Sequence, residues 1–295
     1  MCESESSLIV QAPAKVNLAL YILGKRSDGY HDLDTVMQKL DLVDTLTLSR
    51  CEKPGIQLSC PGSDLPEDAS NLIWKAATAF LQEAGLEKEY GVSIVLDKKI
   101  PVAAGLGGGS SDAASVLTGM DRLLQTGLSQ GTLLRMAKSL GADVPFFVVP
   151  HPAVRATGIG DKMSPLESLA NCSLLLVNPG FSVSTAWVYK NFTLTRGAKD
   201  SNLSDWRKND SMNGKQCSLY NDLESVTIKQ YPEIEAIKRF MLDSGASGAL
   251  MSGSGPTVFG IFPDQPGQSP SVVSGCAKKM REKYGQGVFV TRPVE

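Results

Sequence analysis

The stretch PVAAGLGGGSSDAASVL, residues 101–117, constrains this chain more than any other. It sets four glycines, Gly105, Gly107, Gly108 and Gly109, within five positions and follows them with Ser110, Ser111 and Asp112. Glycine gives up more backbone freedom on folding than any other residue, so a cluster of it points to positive φ angles or to backbone that something must approach closely. YGVSIVLDKKIP precedes the cluster, and Val116, Leu117, Met120, Leu123 and Leu124 follow it at three- and four-residue spacing. The pattern predicts a strand, a glycine turn and an amphipathic helix that begins near the two serines and the aspartate. Such a turn aims backbone N–H groups from the positive end of a helix dipole and makes a nest for phosphate. Ser110 and Ser111 could add hydroxyls to the phosphate or to a magnesium ion. The plainer reading is a flexible turn with an ordinary Ser/Asp cap.

Familiar glycine motifs do not account for the stretch. GxxxxGK[ST] does not occur. GxGxxG fails because Gly105 and Gly107 are followed at the last position by Ser110, and GxSxG fails around Ser254 because Ser252 stands two residues before it. The formal net charge of −2 gives no global pull toward nucleic acid or an anionic membrane, so an anionic ligand must be met by local charge or backbone amides.

Cysteines occur at positions 2, 51, 60, 172, 217 and 276 with no CxxC pair, and only His31 and His151 could join them. That argues against a zinc site and reads as dispersed reduced thiols. The first residues are acidic and lack the basic segment of a signal peptide, and no run approaches the roughly 20 apolar residues of a membrane span. A soluble cytoplasmic protein is the expectation.

With 295 residues, 42% of them hydrophobic, the chain has material for two domains. SLIVQAPAKVNLALYIL reads as a strand, a break at Pro13 and a second strand. NLIWKAATAFLQEAG places Leu72, Ala76, Ala79 and Phe80 on one helical face and stops at Gly85. QGTLLRMAKSLGA is a further helix leading to DVPFFVV, and SLLLVNPG opens a second region. There, PEIEAIKRFMLDSG predicts a helix, GALMSGSGPTVFGIF a strand, glycine turn and strand, and the remainder a last helix and strand. The polar stretch 195–218 reads as a long loop. Helices and strands mix without regular alternation, which predicts an α+β fold, with domains at 1–162 and 163–295.

PVAAGLGGGSSDAA resembles the phosphate loop of the GHMP kinases, small-molecule kinases that include galactokinase, homoserine kinase and mevalonate kinase. APAKVNLALYILGKRSDGYHDL and GADVPFF resemble the members of that family that phosphorylate the 2-hydroxyl of a cytidine diphosphate-linked methylerythritol, on the non-mevalonate route to isoprenoid precursors. SGSGPTVFGIF matches the family's third motif, and the resemblance runs from about Gln11 to about Phe262. It implies a two-domain α+β fold, with a ribosomal-protein-S5-like N-terminal domain that binds ATP and a ferredoxin-like C-terminal domain, the active site lying in the cleft between them.

ATP with Mg2+ is the implied cosubstrate, bound by Pro101, Ala103, Ala104, Gly105, Leu106, Gly107, Gly108, Gly109, Ser110 and Ser111. Asp143 in GADVPFF matches the catalytic aspartate and Lys15 in APAKVNL the lysine beside the acceptor hydroxyl. A cation there favours an ionised carboxylate and offsets charge developing at the phosphoryl group. Asn17 matches a substrate-binding position, Tyr30 and His31 the cytosine site, Tyr189 a second wall of that site, and Thr257, with Gly253 and Gly255, the turn near the phosphates.

Each position has a bland counterpart. Asp143 before Val-Pro would serve as a helix N-cap, Lys15 as a surface lysine, Asn17 as a polar group at a sheet edge, and the third motif as a tight turn. Lys25, Arg26, Lys98 and Lys99 read mainly as solvated flanking charge. Two other functions stay open, another small-molecule kinase of the family and a silent paralogue that only binds a nucleotide. GYHDL argues against the first, and the presence of both Lys15 and Asp143 against the second.

Overall fold

The computed structural model describes residues 7–194, 219–264 and 271–295; the polar stretch 195–218 lies outside the described residues. Two long strands organise the chain, β1 (Ser7–Lys25) and β2 (His31–Cys51). The break expected at Pro13 does not occur. Proline cannot donate to a ladder, but it is tolerated where one side of a strand is unpaired. Around Pro13, β1 is at such an edge, because its other neighbour joins only at Ala19 and Leu20.

Contacts divide the chain into two compact units. The first contains Met1–Ala14, Leu42–Val102 and Gly107–Pro150; the second contains Lys15–Asp41, Ala103–Leu106 and His151–Glu295.

In the first unit β3 (Gly55–Ser59) pairs in parallel with β4 (Gly91–Asp97), which pairs antiparallel with Thr45–Cys51 of β2. Leu46 and Leu48 are buried while Thr45, Thr47 and Ser49 are only half-buried, the alternation of a sheet with one face on a core. That core is closed by α1 (Leu72–Ala84), α2 (Gly108–Leu124), α3 (Gln130–Leu140) and α4 (Val144–Val148), with Phe80, Ala113, Leu117 and Met120 meeting Ile94 and Leu96. Asn71 caps α1 by accepting from the Ile73 N–H, and Gly85 ends it in the left-handed region. Its buried face, Ile73, Ala76, Ala77, Phe80 and Leu81, is rotated from the expected one, so Leu72 and Ala79 are only half-buried. Apolar residues surround so much of this helix that spacing alone does not fix its rotation.

In the second unit β5 (Ala153–Gly158) pairs antiparallel with Leu33–Gln38 of β2 and with β6 (Lys162–Leu166), while β8 (Tyr220–Asn221) runs parallel to β1. The same unit holds β7 (Cys172–Val177), α5 (Thr185–Asn191), α6 (Glu224–Gln230), α7 (Glu233–Asp243), β9 (Gly248–Met251), β10 (Val258–Pro263), α8 (Ser271–Tyr284) and β11 (Val288–Thr291). Its antiparallel sheet has the order β11-β7-β10-β9, with α7 and α8 packed on it. Taken as β7-α7-β9-β10-α8-β11, this is the β-α-β-β-α-β arrangement of a ferredoxin-like domain. All six residues of β7, CSLLLV, are buried, as expected of a strand with neighbours on both sides.

Cys60 and Cys276 are free thiols, whereas Cys51 is disulfide-bonded, which corrects the reading of uniformly reduced cysteines. Spacing along a sequence does not reveal which sulfurs meet in space. Among the described residues no helix is long and apolar enough to cross a membrane.

Candidate active site

The glycine stretch forms the turn that the sequence demands. Gly105 and Gly107 have φ of 75° and 70°, and Ala103 takes a positive φ of 52°. The helix begins earlier than its serines suggest: Gly107 is the N-cap of α2, no side chain caps it, and the first turn carries no acidic residue. The plain reading of a Ser/Asp cap is therefore wrong. The first N–H groups of a helix lack intrahelical partners, and around Gly109 an added Cβ would meet nothing within 4 Å. Bare amides at an uncapped helix start suit an anion.

Ser111 is fully buried, and its Oγ has no hydrogen-bond partner among the described residues. An unmade hydrogen bond is costly inside a protein, and its place beside the uncapped start fits a phosphate oxygen. Pro101 and Ser110 are half-buried, whereas Ala104 and Leu106 are packed inside.

A charge cluster supports this loop within the same unit. Lys98, expected as solvated flanking charge, has a side chain only 7% exposed that pairs with both Asp44 and Asp112, the latter at 2.9 Å. Asp44 also accepts from the backbone N–H groups of Lys99 and Ile100, at 2.6 and 2.8 Å. A Cβ on Gly108 would stand 2.9 Å from the Lys98 Nζ, so the backbone of the turn runs close over that ammonium. Burial first, and then the neighbouring Asp44, push the Asp112 carboxyl up to about 7 against the pull of Lys98.

In the second unit, β1 presents Lys15 and Asn17 on one face, as alternation requires. Both are buried, at 3% and 4% exposure, which excludes a surface lysine and a wet sheet edge. Lys15 Nζ donates to Asn17 Oδ1 at 2.6 Å, and Asn17 Nδ2 donates to Thr35 Oγ1 at 2.9 Å. The Lys15 backbone N–H also holds the Leu106 carbonyl at 2.9 Å.

The third glycine motif closes on the same residues. Ser252 Oγ donates to the Gly105 carbonyl at 2.8 Å, and a Cβ on Gly105 would collide with the Ser252 carbonyl. A Cβ on Gly253 would lie 3.5 Å from Asn17 Oδ1 and 3.6 Å from Lys15 Nζ. Thr257 is fully buried and takes a hydrogen bond from Asn178 Nδ2 at 3.2 Å, so it sits behind the turn. Asn221 Nδ2 donates to the Met251 and Gly253 carbonyls, both at 2.8 Å, and thereby fixes the turn from the β8 side.

The DGYHD segment is a tied turn. Arg26 N–H donates to the Tyr30 carbonyl at 2.8 Å, its guanidinium pairs with Asp28 and Asp32, and Asp28 accepts from the Tyr30 N–H. The Tyr30 ring is left 60% exposed. His31 lies 5.2 Å, centroid to centroid, from Tyr189 of α5, so the structure brings these two together. Burial, and then the Lys25 charge, hold the His31 imidazole below its ordinary pKa and keep it neutral, with one donor and one acceptor nitrogen. Asp143 occupies the N-cap position of α4 and is half-buried, yet its side chain makes no capping hydrogen bond. Its carboxylate is therefore not engaged in the bland role.

Sequence reasoning missed Thr35, Ser252, Asn221 and the Lys98 cluster. Threonine in a strand and serine beside glycine are too common to signal anything alone. YNDLE, an Asn-Asp pair directly before a helix, was the one visible hint.

The model of the GHMP kinases N terminal domain matches residues 71–150, and that of the GHMP kinases C terminal matches residues 197–284. A 4-diphosphocytidyl-2-C-methyl-D-erythritol kinase from Syntrophotalea carbinolica is 47% identical over 283 residues, 96% of this chain and 98% of that protein. One from Citrifermentans bemidjiense is 48% identical over the same shares. Among solved structures, a 4-(cytidine 5'-diphospho)-2C-methyl-D-erythritol kinase matches with a TM-score of 0.81 and 31% identity, over 98% of this chain and 100% of that one. A homoserine kinase from Cytophaga hutchinsonii shares the fold, with a TM-score of 0.72 at 21% identity over 99% of this chain and 97% of that one.

Proposed function

Since the chain belongs to the GHMP kinase family, among the 4-diphosphocytidyl-2-C-methyl-D-erythritol kinases, we propose that it phosphorylates the 2-hydroxyl of 4-diphosphocytidyl-2-C-methyl-D-erythritol with ATP. The observation that carries this is Lys15, buried to 3% in an apolar strand and set against the Gly253 turn.

ATP, with Mg2+ on its phosphates, supplies the γ-phosphoryl group. The bare amides from Gly107 to Ser110 and the orphaned Ser111 hydroxyl hold the phosphates. Asp143 takes the proton of the acceptor hydroxyl as that oxygen bonds to the γ-phosphorus and ADP leaves. Lys15 offsets the negative charge that develops at the transferring group, and Asn17 orients the acceptor. Neutral His31 hydrogen-bonds the cytosine edge between the rings of Tyr30 and Tyr189, and Thr257 backs the turn beside the acceptor. The family segments at 71–150 and 197–284 fall on either side of the expected division into 1–162, which binds ATP, and 163–295. A cytoplasmic site of action, where ATP is held, goes with this reading.

The test measures ADP release with ATP and magnesium, comparing the cytidylated substrate with methylerythritol phosphate. Turnover of the cytidylated compound alone is expected, with Asp143→Asn lowering kcat at least about a hundredfold. Equal turnover of both compounds would remove Tyr30 and His31 from the site. Unchanged kcat in Asp143→Asn would remove the base.

A further inference from the structure

We propose that Thr35 is a positioning residue of the phosphoryl-transfer site, setting the Asn17 amide so that its oxygen holds the Lys15 ammonium in place. The proposal rests on the reading of Lys15 given above.

The argument is one of hydrogen-bond directions. Thr35, on β2, is 3% exposed, and its single hydroxyl hydrogen goes to the Ala19 carbonyl at 2.7 Å. Toward Asn17 the hydroxyl can then only accept, so the group facing it at 2.9 Å must be the amide NH2. That leaves the amide oxygen to face Lys15 Nζ, which has donors and no acceptor, at 2.6 Å. A flipped amide would set NH2 against the ammonium and oxygen against a hydroxyl lone pair, two repulsions in a dry site. The chain of Ala19 carbonyl, Thr35 hydroxyl, Asn17 amide and Lys15 ammonium therefore has one polarity, fixed at its far end by a carbonyl of strand β1, which can only accept. Lys15 owes its aim to a hydroxyl that it never touches.

Removing the hydroxyl frees the amide to flip and so takes its oxygen away from the ammonium. In Thr35→Val, which keeps the branched shape, kcat falls about tenfold, the rate equivalent of one net hydrogen bond, while the KM for ATP stays unchanged. Thr35→Ser, which keeps the hydroxyl, restores kcat. A purely structural loss would not obey the third expectation, that in an Asn17→Ala background Thr35→Val lowers kcat no further. Should Thr35→Val not fold, as thermal melting reports, Thr35→Ala removes the same hydroxyl with less bulk and carries the same expectations.

Wild-type kcat in Thr35→Val overturns the proposal, as does an undiminished loss in the Asn17→Ala background or a failure of Thr35→Ser to rescue. Lys15→Met is measured alongside. If it is inactive while Thr35→Val is normal, only the positioning role falls. If Lys15→Met is fully active, the reading of Lys15 falls as well.

Discussion

Tyr30 leaves 60% of its surface to solvent at the tip of a turn whose backbone and charges are tied by Arg26 and Asp28. A ring already held in place loses little freedom when a base stacks on it, so most of the contact is available for affinity. Stacking on an aromatic contributes ~1–3 kcal/mol per base. Tyr30→Ala is thus expected to raise the KM for the cytidylated acceptor by about five- to hundredfold and to leave the KM for ATP alone. An unchanged acceptor KM would place the ring outside the site. At this scale the sequence was informative where a residue type clashed with its surroundings. Lys15 directly before VNLALYIL was conspicuous, whereas Thr35 was not, because threonine is at home in any strand and its value lies in the direction of one hydroxyl hydrogen.

Strand β2 carries more ionisable groups inward than a core strand usually does. Asp34, Lys39 and Asp44 are all buried along it. Asp34 is matched by Arg155, with bonds of 2.8 and 2.6 Å, and Asp44 by Lys98. Burial lowers the Lys39 ammonium to about 8 from its ordinary 10.5. The folded state thus resists charging Lys39, and the resulting penalty is full below pH 8 and relieved as the pH rises toward 10.5.

Lys39→Met should therefore unfold at higher urea than the wild type at pH 7, by at most about 3 kcal/mol, with the gap narrowing between pH 8 and 10. A gap that stays constant across that range would show that the charge is not the cause. Elements were legible in sequence where spacing and flanking turns were clear, as in α7, α8 and the β9–β10 pair. They were less so where pairing decides. Pro13 looked like a break because nothing local shows that β1 is an edge there, and the serines of α2 looked like caps because nothing local shows that the helix opens on Gly107.

Over the whole molecule, the α+β class and the run of elements from β7 to β11 follow the sequence pattern, and the ferredoxin-like domain follows from the family resemblance, while the assembly of each unit from separated segments follows from neither. Long-range pairing of β2, first with β5 and farther along with β4, leaves no mark on local composition. A ligand that binds only the folded protein stabilises it by mass action. ADP with magnesium at about a hundred times its Kd should add about 2.7 kcal/mol and raise the melting temperature by roughly 5 °C. No shift at any nucleotide concentration would contradict the phosphate site at Gly107–Ser111.

The two units share β1 and β2, and the chain passes from one to the other after Ala14, Asp41, Val102, Leu106 and Pro150. No single cut in the gene separates them. A lineage could not trade the part that carries Lys15 by one recombination event while keeping the part that carries Gly107, because each is stitched from three pieces of coding sequence. Such a protein changes its acceptor by point substitution within a fixed frame rather than by exchange of modules, and inherits both halves of its chemistry together.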